Sequence, residues 1–147
     1  KDVKELQPLV EEIRSFEKVL EGLSHDELRH KTIIFKNKIK EDSKGLNDQI
    51  EVLLKEVKAS MDIDKNEDIY TEIDKLKQEV TKISENTLNE ILPEAFAVVK
   101  ETAKRFANNT TIKVTASEFD RELSGNKDYV SLDGDHAIWK NSWDAAR

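Results

Sequence analysis

The sequence predicts a mainly α-helical chain, a helical bundle with a protruding antiparallel helical hairpin and a small C-terminal β-hairpin. Three observations predict it. Charged residues make up 37% of the 147 positions while only four Gly and two Pro interrupt them, the composition of long solvated helices. Two heptad-like apolar stripes face each other across a short acidic connector. Near the end the texture changes to alternating β-branched residues and an Asp-Gly turn.

The element that organises the rest runs from Ile91 to Phe106. It is the most apolar long segment of a polar chain. Leu92, Ala95, Phe96, Val99, Ala103 and Phe106 recur at three-and-four spacing and predict one buried helix face, which Ala97 and Val98 widen. Such a helix is expected to be largely enclosed. Pro93 fits its first turn and Glu94 suits the positive end of its dipole.

Upstream, Val3, Leu6, Val10, Ile13, Leu20 and Leu23 set a first helix. Pro8 either lies in its first turn or shortens it, and Gly22 is placed to end it in the left-handed cap conformation. Ser24 to Glu27 forms a capping box, with Leu23 and Leu28 as its hydrophobic staple. A second helix then buries Leu28, Thr32, Phe35 and Ile39, and Gly45 is expected to break it. Leu46, Ile50, Leu53, Val57 and Met61 form one arm of the hairpin. Ile69, Ile73, Leu76, Val80 and Ile83 form the other, whose continuation Pro93 discourages. So narrow a stripe buries little, which predicts an arm pair projecting from the body.

After Asn108 and Asn109, Thr111–Thr115 reads as a strand with Ile112 and Val114 on one face, and Ser117–Leu123 as a short helix capped by Ser117. Tyr129–Leu132 and His136–Trp139 flank Asp133-Gly134-Asp135 as a β-hairpin. Trp139 and Trp143, four apart, are expected to pack together on one helical turn. The expected organisation is therefore 1–41 N-terminal helices, 42–90 acidic helical hairpin, 91–107 buried helix, and 108–147 strand and β-hairpin with a Trp-containing tail.

Charge is placed unevenly. Between Asp42 and Glu90 there are 13 acidic and 7 basic residues, a net of −6 out of −7 for the chain. Phosphates would be repelled there, so no nucleic-acid partner is expected. With no cysteine, disulfide scaffolds, thiolate catalysis and Cys-based zinc sites are excluded. Asp62, Asp64, Asn66 and Asp68 imitate the start of a calcium loop. Glu67 stands where that loop needs Gly, and Ile73 where it needs a bidentate Glu, so capping aspartates in an acidic turn are the expectation. His25, His30 and His136 share no metal-ligand spacing and read as exposed polar residues. Trp139 and Trp143 lack the basic surroundings of a base-stacking platform. Gly22, Gly45, Gly125 and Gly134 are never followed by Lys, so no phosphate loop ending in Gly-Lys-Ser/Thr exists here. No catalytic, cofactor-binding or metal residue is therefore assigned.

Leu92-Pro-Glu-Ala-Phe-Ala-Val-Val-Lys-Glu-Thr-Ala-Lys-Arg105 closely resembles a segment near the N-terminus of the SecA family, the ATP-driven motors of bacterial preprotein export. Leu23-Ser-His-Asp-Glu-Leu-Arg-His-Lys-Thr32, with Phe35 and Ile39, resembles the block that precedes it. Most members separate these blocks by a short loop, where this chain has a helical hairpin. They also pass soon afterwards into a Phe-Asp-Val-Gln-Leu segment and a phosphate loop, which this chain does not reach.

The resemblance implies an N-terminal, non-catalytic portion of the longer form of an α/β motor. It implies ATP and Mg in the parent protein and neither in this portion. It also implies the SecY channel, preproteins and the anionic inner-membrane surface as partners, and a cytoplasmic protein peripheral at that membrane. By the same resemblance the helix from Leu92 to Phe106 braces the first nucleotide-binding domain. Copies of the piece could pair through the indoles and the hairpin stripe. The alternative is a stand-alone acidic helical protein-interaction module.

Overall fold

A computed structural model describes residues 2–60 and 62–142, without the side chains of residues 2, 3 and 5; Val3 as a packing residue, Met61 and Trp143 thus lie outside the described residues. The chain is mainly α. Helices α1 (Asp2–Glu21), α2 (His25–Ala59) and α3 (Ile63–Asn108) are followed by strand β1 (Thr111–Thr115), helix α4 (Glu118–Ser124), and strands β2 (Val130–Asp133) and β3 (His136–Lys140). Residues 1–32 with 93–147 form one compact unit, and residues 33–92 form another.

In the first unit, α1 runs through Pro8 instead of starting or stopping there. Leu20 is wholly buried, whereas Leu6 and Val10 of the expected stripe are exposed. Gly22 follows the helix but does not take the left-handed conformation, since Gly134 is the described glycine with positive φ. The capping box of α2 forms as expected: Glu27 N–H donates to Ser24 Oγ at 3.2 Å, and Ser24 N–H to Glu27 Oε2 at 2.7 Å. Leu28 is buried beneath it, while Thr32 stays exposed.

The strands form a three-stranded antiparallel sheet of order β1-β3-β2, so the expected hairpin gains β1 as a third member. Gly134, at φ +59°, makes the turn between β2 and β3 that an L side chain would strain. Ile112, Val114, Val130 and Ala137 form the sheet's core, with Phe106, Tyr129 and Trp139 packed against it. Trp139 therefore sits on β3, not on a helical turn. Its ring lies 6.0 Å from that of Tyr129.

In the second unit Ile50, Val57, Ile69 and Ile73 form the core, with Leu53, Leu76 and Val80 packed against it. These are seven members of the stripes read from the sequence; Leu46 and Ile83 are half-buried outside that cluster. Gly45 does not break α2. The four-and-three alternation passes straight through it, from Ile39 by Ser43 and Leu46 to Ile50, and Ser43 is buried with its hydroxyl donating to Ile39 O at 3.0 Å. A continuous seam outweighs one residue of poor propensity, which costs only about 1 kcal/mol. An added Cβ at Gly45 would meet nothing within 4 Å and needs no positive φ. Gly45→Ala should therefore stabilise the chain by about 0.5–1 kcal/mol in a urea titration.

Helix α3 likewise continues through Pro93. An interior proline removes a hydrogen bond and typically costs about 3 kcal/mol. Here its ring is buried, so packing offsets part of that loss.

The face of this helix is the larger correction. Leu92, Phe96, Val99 and Ala103, expected inside, are exposed, Phe96 by 55% and Val99 by 67%; Ala95 and Phe106 are half-buried. The buried face carries Pro93, Ala97, Val98 and Glu101. Charged members of that face are accommodated by pairing. Lys31 Nζ donates to Glu94 at 2.8 Å and Arg105 Nε to Glu101 at 2.8 Å.

Candidate functional site

The first turns of α2 hold the β1–α4 junction. Asp26, in the N-terminal turn where a carboxylate suits the helix dipole, accepts Thr115 N–H at 2.8 Å and Thr115 Oγ1–H at 2.8 Å. One turn on, Arg29 forks onto Asp120, with Nη1 to Oδ2 at 2.7 Å and Nη2 to Oδ1 at 2.8 Å. Asp120 has no exposed surface. It is also the third residue of α4, where it completes a capping box with Ser117: it accepts Ser117 N–H and hydroxyl, each at 2.8 Å. Trp139 Nε1–H donates to its other oxygen at 3.1 Å.

Burial alone would raise the Asp120 pKa. The hydrogen bonds from Arg29 and Ser117, with the guanidinium charge, win and hold it at about 2. A carboxylate whose lone pairs are so fully used is an anchor and a poor proton acceptor. It ties α2, α4 and β3 together.

A second node closes the end of α1. Arg105 Nη2 donates to Leu20 O at 2.9 Å and Leu23 O at 2.7 Å, where the helix stops and its last carbonyls need donors from outside the helical ladder; Leu20 O also accepts Leu23 N–H at 3.1 Å. Its Nη1 meets His25 Nδ1 at 3.1 Å, so His25 is a half-buried member of this node and not the exposed residue expected. His30 and His136 are exposed.

In the second unit, Thr87 is buried and its hydroxyl donates to Asp42 Oδ2 at 2.7 Å. That bond and Lys38 hold the Asp42 carboxyl below its usual range. Asp62 caps α3, accepting Lys65 N–H at 3.2 Å, and Asp64, Asn66 and Asp68 lie on the helix itself. A helical backbone cannot wrap an ion as a calcium loop does. Among the described residues no group of three or more His, Asp or Glu is arranged to hold a metal.

The glycines do not fit a nucleotide phosphate either. Gly45 is interior to α2, Gly125 caps α4, Gly134 turns a hairpin and Gly22 precedes Leu23. The sequence reading found the Ser117 cap but not Asp120, Arg29 or Arg105. The one available signal was the Ser-x-x-Asp spacing of the cap, which gives no hint of a partner 91 residues away.

The chain is thus mainly α, with a small sheet pinned to its helices. Residues 1–125 match the family described as the SecA DEAD-like domain, and the chain belongs to that family. It is 60% identical over 146 residues to the protein translocase subunit SecA of Christiangramia forsetii, covering 99% of this chain and 13% of that protein. The Flavobacterium psychrophilum subunit is 57% identical over 146 residues, with 99% and 13% covered. That of Bacteroides fragilis is 39% identical over 145 residues, again 99% and 13%. The chain thus spans about an eighth of the length of these curated relatives. Coverage this complete leaves the residues of the hairpin and most of the β region inside the aligned stretch. No solved structure matches the chain.

Proposed function

We propose that this chain is the N-terminal, non-catalytic portion of a SecA motor that drives ATP-dependent export of preproteins through the SecY channel. The match of residues 1–125 to the SecA DEAD-like domain carries this reading. ATP and Mg belong to the parent protein, whose partners are the SecY channel complex, preproteins and the anionic inner-membrane surface. The parent is cytoplasmic and peripheral at the inner membrane. Among the described residues no helix is long and apolar enough to cross a membrane, in keeping with peripheral attachment.

Within the motor, residues 91–107 brace the first nucleotide-binding domain, a role supported by the exposed apolar face of Phe96 and Val99. The acidic hairpin of residues 42–90 is a docking arm. Removing Ser43–Asn86 from the full-length translocase should lower preprotein translocation several-fold while leaving basal ATP hydrolysis in place. Translocation at the unmodified rate would show the arm to be dispensable. The 147-residue chain should bind no nucleotide in a calorimetric titration, and stoichiometric binding would overturn its assignment as the non-catalytic portion.

A further inference from the structure

From the geometry of the second unit we infer that one face of the α2–α3 hairpin is a groove for a cationic amphipathic helix of a partner protein. This rests on the docking-arm reading above and names its partner by chemistry. The groove is a cleft of about 330 Å³ lined by Asp48, Gln49, Val52 and Leu53 of α2 and by Glu72 and Leu76 of α3. Its floor is apolar: Val52 is 63% exposed, and Leu53 and Leu76 are half-buried.

Ion pairs mark both ends of the same face. Lys38 reaches Glu90 at 3.0 Å at one end, and Lys65 reaches Glu56 at 2.7 Å at the other. Heptad spacing places the residues between them. Lys38, Gly45 and Val52 are seven apart on α2, as are Gln49 and Glu56; Lys65, Glu72 and Glu79 are seven apart on α3. Between the two ion pairs, where α2 would supply cations to Glu72 and Glu79, it presents Gly45, Gln49 and Val52. Neither those carboxylates nor Asp48 has a cation partner among the described residues.

Gly45 adds an independent observation. Nothing within 4 Å of its missing Cβ requires a glycine, and its backbone φ is not positive. A side chain there is excluded by nothing inside the chain; Gly45 lies beyond the cleft lining, one heptad from Val52 on the same α2 face, and its bare backbone permits close approach from outside beside the cleft. An apolar floor, a rim of unneutralised carboxylates and a bare stretch of helix beside the cleft together match a helix with aliphatic residues on one stripe and Lys or Arg beside it.

The test titrates the full 147-residue chain with an 18-residue Leu/Lys amphipathic helical peptide, using a Leu/Glu peptide of the same pattern as the control. The Leu/Lys peptide should bind and the control should not. Gly45→Leu keeps the net charge and does not lower the thermal midpoint, yet should weaken binding at least tenfold by raising a side chain on the α2 face beside the cleft, where the bound helix would lie. The pair Glu72→Gln with Glu79→Gln should weaken it about tenfold. The charge-matched pair Asp74→Asn with Glu85→Gln, away from the groove, should change it less than twofold. Equal effects of the two pairs, wild-type affinity of Gly45→Leu, or no binding of the Leu/Lys peptide would each overturn the groove. The Ser43–Asn86 deletion decides the docking arm separately. If it lowers translocation while Gly45→Leu in the full-length protein does not, the arm stands and the groove falls.

Discussion

Asp120→Ala is expected to lower the stability of the chain by about 3 kcal/mol, a drop of roughly 6–12 °C in thermal midpoint. The carboxylate is fully buried and accepts from Arg29, Ser117 and Trp139, so truncation leaves a guanidinium and an indole N–H without their acceptor. Arg29 is 35% exposed and can recover some hydration, which keeps the loss near the lower end for a broken buried pair.

Asp120→Asn separates charge from shape. Its amide offers one acceptor oxygen and turns two donors toward Arg29, so most of the loss should persist. The pH dependence follows from the depressed pKa. With the folded-state value at about 2 and the unfolded value near 3.8, the charged carboxylate's contribution is complete above the unfolded value. It is lost as pH falls from about 4 toward 2, and amounts to on the order of 1–2 kcal/mol after solvent screening. Urea midpoints measured down that range should fall more steeply for the natural chain than for Asp120→Asn. Parallel curves would show that Asp120 is not the group responsible.

Arg105→Ala should be of similar size, about 3 kcal/mol, for a different reason. It removes the donor that closes the carbonyls of Leu20 and Leu23, and it strips Glu101, whose side chain is 8% exposed, of its 2.8 Å partner. Lys104, at 3.9 Å, is a weak substitute. A buried carboxylate without its cation is the costly product. The double variant Glu101→Gln with Arg105→Met should therefore lose less than the sum of its parts, with a coupling above about 1 kcal/mol in denaturant midpoints. Strict additivity would mean that the end of α1, not the ion pair, is what Arg105 secures.

Local signals were legible where the physics is local. The Ser24 capping box, the Ser117 cap, the Asp-Gly hairpin turn and the hairpin seam from Ile50 to Val80 depend on residues within a turn or a heptad of one another, and each stands as read. Gly45 and Pro93 misled because single-residue propensities amount to about 1–3 kcal/mol, less than a packed seam running through them contributes. The missing cue at Gly45 was in plain view: the alternation of four and three never skips a beat from Ile39 to Val57. At the C-terminal end of α3, the apolar stripe and the buried stripe are different faces, because Glu101 is buried and Glu94 and Arg105 are half-buried, each in an ion pair, and the periodicity of apolar residues cannot register them.

What the sequence determined by itself is the mainly α character, the antiparallel hairpin, the short sheet's strands, the absence of a phosphate loop and the family. All of these are written in spacing and composition along a continuous stretch. Only the tertiary structure decided that α2 and α3 run unbroken, that β1 joins β3, and that Asp120 and Arg105 are anchors. The two anchors depend on partners 80 to 91 residues away and β1 meets β3 across 21 to 29, and contacts at such separations leave no periodic trace in either segment.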